Sequence, residues 1–125
     1  MKALVTGATG FVGGNLVRAL VAEGVPVRAL VRKTNSSQTL QGLPIEEALG
    51  DLEDMESLKS ALQDCTVLFH VAALNTFWAK DPAQFYNANI GGTRNVLAAA
   101  AEAGVERVVH TSTWAIIGRP PDGGL

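Results

Sequence analysis

Features that would place a protein in a special class are scarce in this chain of 125 residues. Cys65 is the only cysteine, so no internal disulfide is possible, which is typical of the reducing cytoplasm. No apolar run approaches the roughly 20 residues of a membrane-spanning helix. Met1 and Lys2 lead directly into an apolar strand, which argues against a signal peptide. We therefore expect a cytoplasmic protein that does not span a membrane.

Neither sign of charge dominates, because 10 Lys and Arg residues face 12 Asp and Glu residues for a formal net charge of −2. This balance, without a basic stripe, argues against a general nucleic-acid binder. We assign no metal ligands. A hydrophobic content of 47% with 18% charged residues is ordinary for a globular protein with a core. The length allows at most one domain.

Short apolar runs alternate with helical patterns along the chain. The predicted strands are residues 2–6, 27–31, 46–49, 67–71 and 107–111. The predicted helices are residues 11–23, residues 53–63 and a long helix that follows Asp81 and ends at Gly104. Such alternation predicts an α/β fold with a parallel sheet covered on both faces. Right-handed crossovers and a glycine-rich first turn favour the Rossmann-type doubly wound order 3-2-1-4-5, with a ligand over the carboxyl ends of the strands.

The turn between the first strand and the first helix carries Gly7, Gly10 and Gly13. Gly7 can take a positive φ, Gly10 leaves room for a pyrophosphate, and Gly13 lets the helix approach the strand. The free N–H groups and the dipole of the helix start favour an anion. The spacing is one residue longer than the G-x-G-x-x-G fingerprint, and a turn that only permits close packing is the alternative. The position of the turn, before an amphipathic helix, favours the phosphate site; the apolar face of that helix is Val12, Leu16, Ala19 and Leu20.

The second strand ends in Arg32 and Lys33, and no acidic residue lies between Val25 and Leu43. Sites that prefer NAD commonly place Asp or Glu here, to accept from the ribose 2′-hydroxyl. A cationic pair instead favours a 2′-phosphate, which predicts a preference for NADP(H) with NAD(H) possible. The alternative is that both side chains are solvated loop charges.

Two further strand ends carry candidate cofactor contacts. Asp51 after the third strand can accept from an adenine amino group with Leu52 against the ring, or it can be the N-cap of the next helix. After the fourth strand, the small residues Ala72 and Ala73 allow a close approach of backbone and cofactor. We interpret His70, just before them, as a packed strand residue rather than a base.

The long helix and the fifth strand contribute polar candidates. Asn89 shares a helical face with Gly92, which we expect to pack closely against a strand. A buried Asn89 needs a partner, and the ends of the fourth and fifth strands are nearest. Thr111, Ser112 and Thr113 lie where a nicotinamide ring would sit, and one of them can polarise a substrate carbonyl or alcohol. An ordinary Ser/Thr turn is the alternative.

Five stretches in this order resemble the extended short-chain dehydrogenase/reductase (NAD(P)-dependent epimerase/dehydratase) superfamily. They are residues 6–13 (TGATGFVG), 50–52 (GDL), 70–73 (HVAA), 89–96 (NIGGTRNV) and 109–113 (VHTST). Arg32 and residues 77–82 (FWAKDP) are most similar to its dihydroflavonol-reductase-like and hopanoid-associated sugar-epimerase branch. The resemblance implies an NADP(H)-dependent oxidoreductase or epimerase/dehydratase acting on a small molecule, a carbonyl, an alcohol or a nucleotide sugar.

The resemblance also implies roles for individual residues. Arg32 and Lys33 match the position of the 2′-phosphate, Asn89 matches the asparagine common in this helix, and Thr113 matches the catalytic Ser/Thr that hydrogen-bonds the substrate oxygen. Thr111 and Ser112 lie beside it at the cofactor. The glycine turn and the other strand ends would supply the remaining cofactor contacts, namely Gly7, Thr9, Gly10, Phe11, Val12, Gly13, Asp51, Leu52, Ala72 and Ala73.

The chain departs from this family in one respect. The family's catalytic pair is Tyr-x-x-x-Lys, whereas the one tyrosine here, Tyr86, is followed four residues later by Ile90. We expect residues 1–118 to be the N-terminal, dinucleotide-binding part of such an enzyme, residues 119–125 a Pro/Gly-rich tail, and the substrate lobe absent. An uncovered fifth strand would then favour self-association or a C-terminal partner half. A catalytically inert NADP(H)-binding sensor or regulatory module is the alternative.

Overall fold

The computed structural model describes residues 1–34, 37–76 and 81–118. Its centre is a five-stranded parallel sheet in the order β3-β2-β1-β4-β5, as predicted. The strands are β1 (Ala3–Thr6), β2 (Val27–Val31), β3 (Glu46–Leu49), β4 (Val67–His70) and β5 (Arg107–His110). The predicted tail at residues 119–125 and the first four residues of the FWAKDP stretch lie outside the described residues.

Helices connect the strands. They are α1 (Phe11–Ala22), α2 (Met55–Leu62), α3 (Ala83–Tyr86) and α4 (Gly92–Glu102), with single 3₁₀ turns at Gln38–Leu40 and Trp114–Ile117. Within the described residues, none of the helices combines the length and the apolar composition that a membrane span requires. The helices lie on both faces of the sheet, since a right-handed connection between parallel strands places them there.

The core has two layers, because neighbouring residues of a strand point to opposite faces. Leu4 of β1 packs with α2 and α4, in a cluster that contains Leu58, Leu62 and Val96. Val5 packs on the other face with Val17 of α1. The central strands β1, β2 and β4 are apolar on both faces for this reason.

The buried face of α1 differs from the predicted one. Val12 is 56% exposed and Ala19 is also exposed, whereas Gly13, Gly14 and Val17 are buried. The helix comes closest to the turn after β1 at Gly13 and Gly14, which have no side chains, so its buried face is rotated by about one residue from the apolar stripe. The prediction was therefore wrong at Val12 and Ala19.

The long helix predicted after Asp81 is interrupted. The Asp81 carboxylate accepts a hydrogen bond from the Ala83 amide at 2.9 Å, as expected of a residue that caps the helix start. A π-helical turn at Asn87–Gly91 then separates α3 from α4. Turns of this kind are rare and occur frequently at functional sites.

Strand β5 forms one edge of the described sheet and pairs only with β4 there. All four of its residues are exposed, and Val108 and Val109 are 40% and 44% exposed. The predicted uncovered edge is thus present in the described part of the chain.

Candidate functional site

The glycine turn that follows β1 packs closely at two of its glycines and leaves open space at the third. Gly7 has φ of +71°, and a Cβ on it would lie 2.7 Å from the Ala72 nitrogen. A Cβ on Gly13 would lie 2.1 Å from the Gly7 carbonyl oxygen. Gly10 differs, because its Cβ would meet only the Gly7 oxygen, at 3.3 Å, with nothing else within 4 Å. Packing explains Gly7 and Gly13, whereas Gly10 faces free space.

The start of α1 presents amide donors beside Gly10 that have no acceptor among the described residues. No side chain caps this helix, and its first bond runs from the Gly14 amide to the Gly10 oxygen at 2.9 Å. The amides of Phe11, Val12 and Gly13 precede that bond and therefore have no acceptor within the helix. Phe11 is 88% exposed. These amide groups surround a space that a Cβ on Gly10 would narrow. The arrangement fits the phosphates of a dinucleotide.

A buried polar network joins β1, β4 and α4 next to this turn. The hydroxyl oxygen of Thr6 accepts from the Val71 and Ala72 amides, both at 3.2 Å, and lies 2.8 Å from Nδ1 of His70. Two amides occupy both lone pairs of that oxygen, so its proton is donated to Nδ1. Nε2 of His70 must then carry the ring proton, which it donates to the hydroxyl oxygen of Thr93 at 3.0 Å.

His70 is fully buried and neutral, as the interpretation of a packed strand residue requires. Desolvation, followed by the neighbouring charge of His110, lowers the pKa of His70 to about 4. The two rings stack with centroids 5.1 Å apart and an interplanar angle of 20°. The network therefore fixes the tautomer of His70 and the path of the chain where it leaves β4.

The segment after β4 is held by Asn89. Its Oδ1 accepts from the Leu74 amide at 2.7 Å, and its Nδ2 donates to the Leu74 oxygen at 3.1 Å. The predicted partner near the end of the fourth strand is therefore present. Ala72 is half-buried against Gly7, and Ala73 is exposed.

The loop after β3 corrects two expectations. Asp51 does not cap α2; its carboxylate accepts from the Glu53 amide at 3.0 Å, whereas Asp54 accepts from the Glu56 and Ser57 amides and is the N-cap. The helix starts three residues later than an Asp51 cap would require. Asp51 is half-buried, and its carboxylate is bonded within the loop.

Gly92 was expected to pack against a strand, but it packs against this loop. A Cβ on Gly92 would lie 2.8 Å from the Cβ of Leu52. The side-chain amide of Asn95, one turn further along α4, donates to the Leu52 oxygen at 2.9 Å. The absence of a side chain at Gly92 thus makes room for Leu52.

Arg32 and Lys33 follow β2 and are exposed. Neither makes an ion pair with any residue that the structure describes. Arg28, at the opposite end of the strand, is paired with Glu46 at 2.8 Å and has a structural role. Cationic side chains are therefore available at the carboxyl end of β2.

Thr111, Ser112 and Thr113 leave the sheet after β5 and are exposed. The Thr111 amide still donates to the His70 oxygen at 3.0 Å, which continues the pairing of β5 with β4 by one bond. The three hydroxyl residues consequently lie beside the exit of β4.

Three polar residues of this region had no role assigned from the sequence, namely Thr6, Thr93 and Asn95. The sequence offered a signal for Thr6, since a polar residue ends an apolar strand there; the structure places it opposite His70. Asn95 donates to a backbone carbonyl oxygen. Every residue has such an oxygen, so no sequence pattern could have indicated its partner.

The profile of the NAD dependent epimerase/dehydratase family matches residues 3–124. The chain belongs to this family. Its glycine turn and strand order are thus those of an established group of proteins, and the resemblance inferred from the five stretches is confirmed.

Several curated proteins are similar to this chain in sequence. A Synechocystis protein with the provisional name dihydroflavonol 4-reductase is 52% identical over 119 residues, which are 95% of this chain and 34% of that protein. A Stigmatella aurantiaca ketoreductase of 4-hydroxy-2-methyl-3-oxo-4-farnesyl-3,4-dihydroquinoline-1-oxide is 49% identical, over 96% of this chain and 36% of that protein. The chain spans about a third of the length of the curated relatives it matches.

A solved structure matches the fold of this chain. The UDP-glucose 4-epimerase of Thermus thermophilus, solved as a complex with NAD, superposes with a TM-score of 0.84 at 32% identity. The match covers 99% of this chain and 42% of the epimerase. This agreement confirms the Rossmann-type α/β fold.

Proposed function

We propose that residues 1–118 hold the cofactor of an NADP(H)-dependent oxidoreductase or nucleotide-sugar epimerase/dehydratase. The observation that carries the proposal is the open glycine turn, where Gly10 faces free space beside the amides of Phe11–Gly13, which have no acceptor among the described residues. Gly7 and Gly13 bring strand and helix together, and Gly10 admits the pyrophosphate. Thr9, Phe11 and Val12 then line the phosphates.

The sheet order supports an extended position of the dinucleotide along the carboxyl edge. From one edge to the other the strand ends carry Asp51 and Leu52 (β3), Arg32 and Lys33 (β2), the glycine turn (β1), Ala72 and Ala73 (β4) and Thr111–Thr113 (β5). Strands lie about 4.8 Å apart, so the five ends span about 19 Å. We assign adenine to β3, the ribose 2′-phosphate to β2 and the nicotinamide to β4 and β5, where Asn89 holds the backbone.

The preference for NADP(H) rests on the end of β2. Arg32 and Lys33 are exposed cations without a described ion-pair partner, and charge-assisted bonds to a phosphate are stronger than neutral ones. NAD(H) would bind through the remaining contacts, but without this contribution. The nicotinamide supplies hydride transfer, and Thr113 positions the oxygen of the carbonyl, alcohol or sugar substrate.

Titration of the chain with NADPH and NADH tests the proposal. We expect tighter binding of NADPH, and in Arg32→Ala a loss of NADPH affinity of about 10- to 100-fold, the value of one hydrogen bond to a charged group. NADH affinity should be unchanged in that variant. Gln41→Ala, an exposed substitution in the neighbouring loop, is the control. Equal affinity for both cofactors would contradict the proposed preference.

A catalytically inert NADP(H)-binding module is the second candidate. The observation in its favour is that residues 1–125 hold one tyrosine, Tyr86, in α3 and without a lysine four residues on. A Tyr-x-x-x-Lys pair encoded downstream in frame, or on a separate half that completes the site, supports the enzyme. Retained NADPH binding without either supports the regulatory module.

A further inference from the structure

The loop that follows β3 bonds to the sheet at Gly50, whose amide donates to the Val31 oxygen at 3.0 Å, and to α4 at Leu52. β3 ends at Leu49, so the backbone at Leu52 lies beyond the last paired residue of the strand. The Leu52 oxygen instead accepts from Nδ2 of Asn95 at 2.9 Å. Both residues are half-buried, which limits competition from water for this bond.

The Leu52 side chain is positioned by contacts with the same helix. Gly92 lies one turn before Asn95, and a Cβ there would stand 2.8 Å from the Leu52 Cβ and 3.0 Å from its Cδ1. Leu52 also packs against the core cluster that contains Val96. The backbone and the side chain of Leu52 are thus both located by α4.

The rest of the loop is tied down separately. The Asp51 amide donates to the Ser57 hydroxyl oxygen at 3.1 Å, and that hydroxyl donates to the backbone carbonyl oxygen of Asp54 at 2.8 Å. These bonds connect the loop to α2. Without Asn95, Asp51 would remain anchored, and Leu52 would lose its one described backbone bond to α4.

We propose that Asn95 is a positioning residue for the cofactor, which holds Leu52 at the place where the adenine ring packs. The inference rests on the proposed function, because it assigns the adenine to β3. Asn95 itself does not touch the cofactor and acts through Leu52. Its effect should therefore be confined to the adenosine end of the ligand.

Asn95→Asp and Asn95→Leu test this role with NADPH, 2′,5′-ADP and reduced nicotinamide mononucleotide as probes. The first substitution replaces the amide donor with an acceptor of the same shape, and the second removes it without adding charge. We expect both to weaken NADPH and 2′,5′-ADP by a similar factor, about three- to tenfold, as loss of one neutral hydrogen bond implies. Binding of the mononucleotide should not change. Asn87→Asp, an exposed change of the same charge in the π turn, is the control and should bind as the wild type does.

The outcomes separate the two proposals. If the wild type binds neither NADPH nor 2′,5′-ADP, the proposed function fails and the inference fails with it. If the wild type binds both and the Asn95 variants match it, only the inference is overturned. A purely structural role would lower the melting temperature and leave the affinities unchanged, or weaken all three probes equally, and either result also overturns it.

Discussion

Gly13 lies so close to Gly7 that a Cβ on Gly13 would stand 2.1 Å from the Gly7 carbonyl oxygen. Non-bonded carbon and oxygen atoms do not approach to this distance, so the first turn of α1 requires a residue without a side chain here. Gly10, midway between the two, has no such packing constraint. One motif therefore contains glycines of two kinds.

Gly13→Ala and Gly10→Ala should consequently fail in different ways. The first forces backbone atoms apart, and we expect it to destabilise the chain by about 1–3 kcal/mol, as overpacking does. The second should cost less than about 1 kcal/mol, since Gly10 has the extended conformation of an N-cap that alanine can adopt. Urea denaturation measures both.

Among the variants that fold, the order should be reversed for cofactor affinity, which Gly10→Ala should lower more than Gly13→Ala does. The Gly10→Ala methyl group would narrow the space proposed for the pyrophosphate, so we expect at least about a tenfold loss of NADPH affinity, or ~1.4 kcal/mol. A Gly10→Ala protein that binds NADPH as well as the wild type would contradict the assignment of the phosphate site.

Stability should depend on pH through His70. Its pKa is lowered from 6.5 to about 4, so the unfolded chain binds the proton more readily than the folded one. Protonation therefore favours unfolding, and the contribution of His70 is complete above pH 6.5 and is lost as the pH falls toward 4. The loss amounts to about 3 kcal/mol.

His70→Gln isolates this effect from the carboxylates that titrate in the same range. We expect the free energy of unfolding to fall less steeply between pH 6.5 and pH 4 in this variant than in the wild type. The stacked His110 is the minor cause of the shift, so His110→Gln should keep most of the slope. Equal slopes in the wild type and His70→Gln would show that the histidine does not titrate in this way.

The sheet was predictable because its signal is strong. Buried parallel strands are apolar on both faces, as β1, β2 and β4 are, and five strand patterns alternate with helical patterns from Ala3 to His110. The order then follows from the handedness of the crossovers and the position of the glycine turn. Each of these rules acts through many residues at once, so errors at single positions do not change the result.

The wrong predictions concern positions where a single residue, and not a pattern of many residues, determines the local structure. The buried face of α1 was placed by its apolar side chains, whereas Gly13 contacts the turn at Gly7 and Ala8 because it has none. Asp51 and Asp54 are equally plausible caps by composition, and only the backbone conformation distinguishes them. The bonds from Asn89 to Leu74 and from Asn95 to Leu52 end on backbone atoms, which every residue possesses.

The edge strand β5 leads to a prediction about self-association. Val108 and Val109 expose apolar surface on opposite faces of the sheet, and the outer edge of β5 has no strand beside it among the described residues. We expect the 125-residue chain to associate in a concentration-dependent way. Val109→Lys should weaken association by about tenfold, or ~1.4 kcal/mol.

Sedimentation velocity over a range of concentrations measures this effect. Ala101→Lys adds the same charge on an exposed position of α4 and should leave association unchanged. A wild-type chain that remains monomeric at every concentration would contradict the prediction, as would equal weakening by both substitutions.

Gly91 and Gly92 provide a matched pair, because they are adjacent and both have helical dihedral angles. A Cβ on Gly91 would find only the Tyr86 oxygen, at 3.8 Å, whereas one on Gly92 would lie 2.8 Å from the Leu52 Cβ. Alanine restricts the unfolded chain in both cases, so Gly91→Ala should stabilise the protein by about 0.5–1 kcal/mol. Gly92→Ala should instead destabilise it by about 1–3 kcal/mol, because Leu52 must move. Denaturation midpoints compare the two, and stabilisation by both substitutions would mean that Leu52 does not require the space at Gly92.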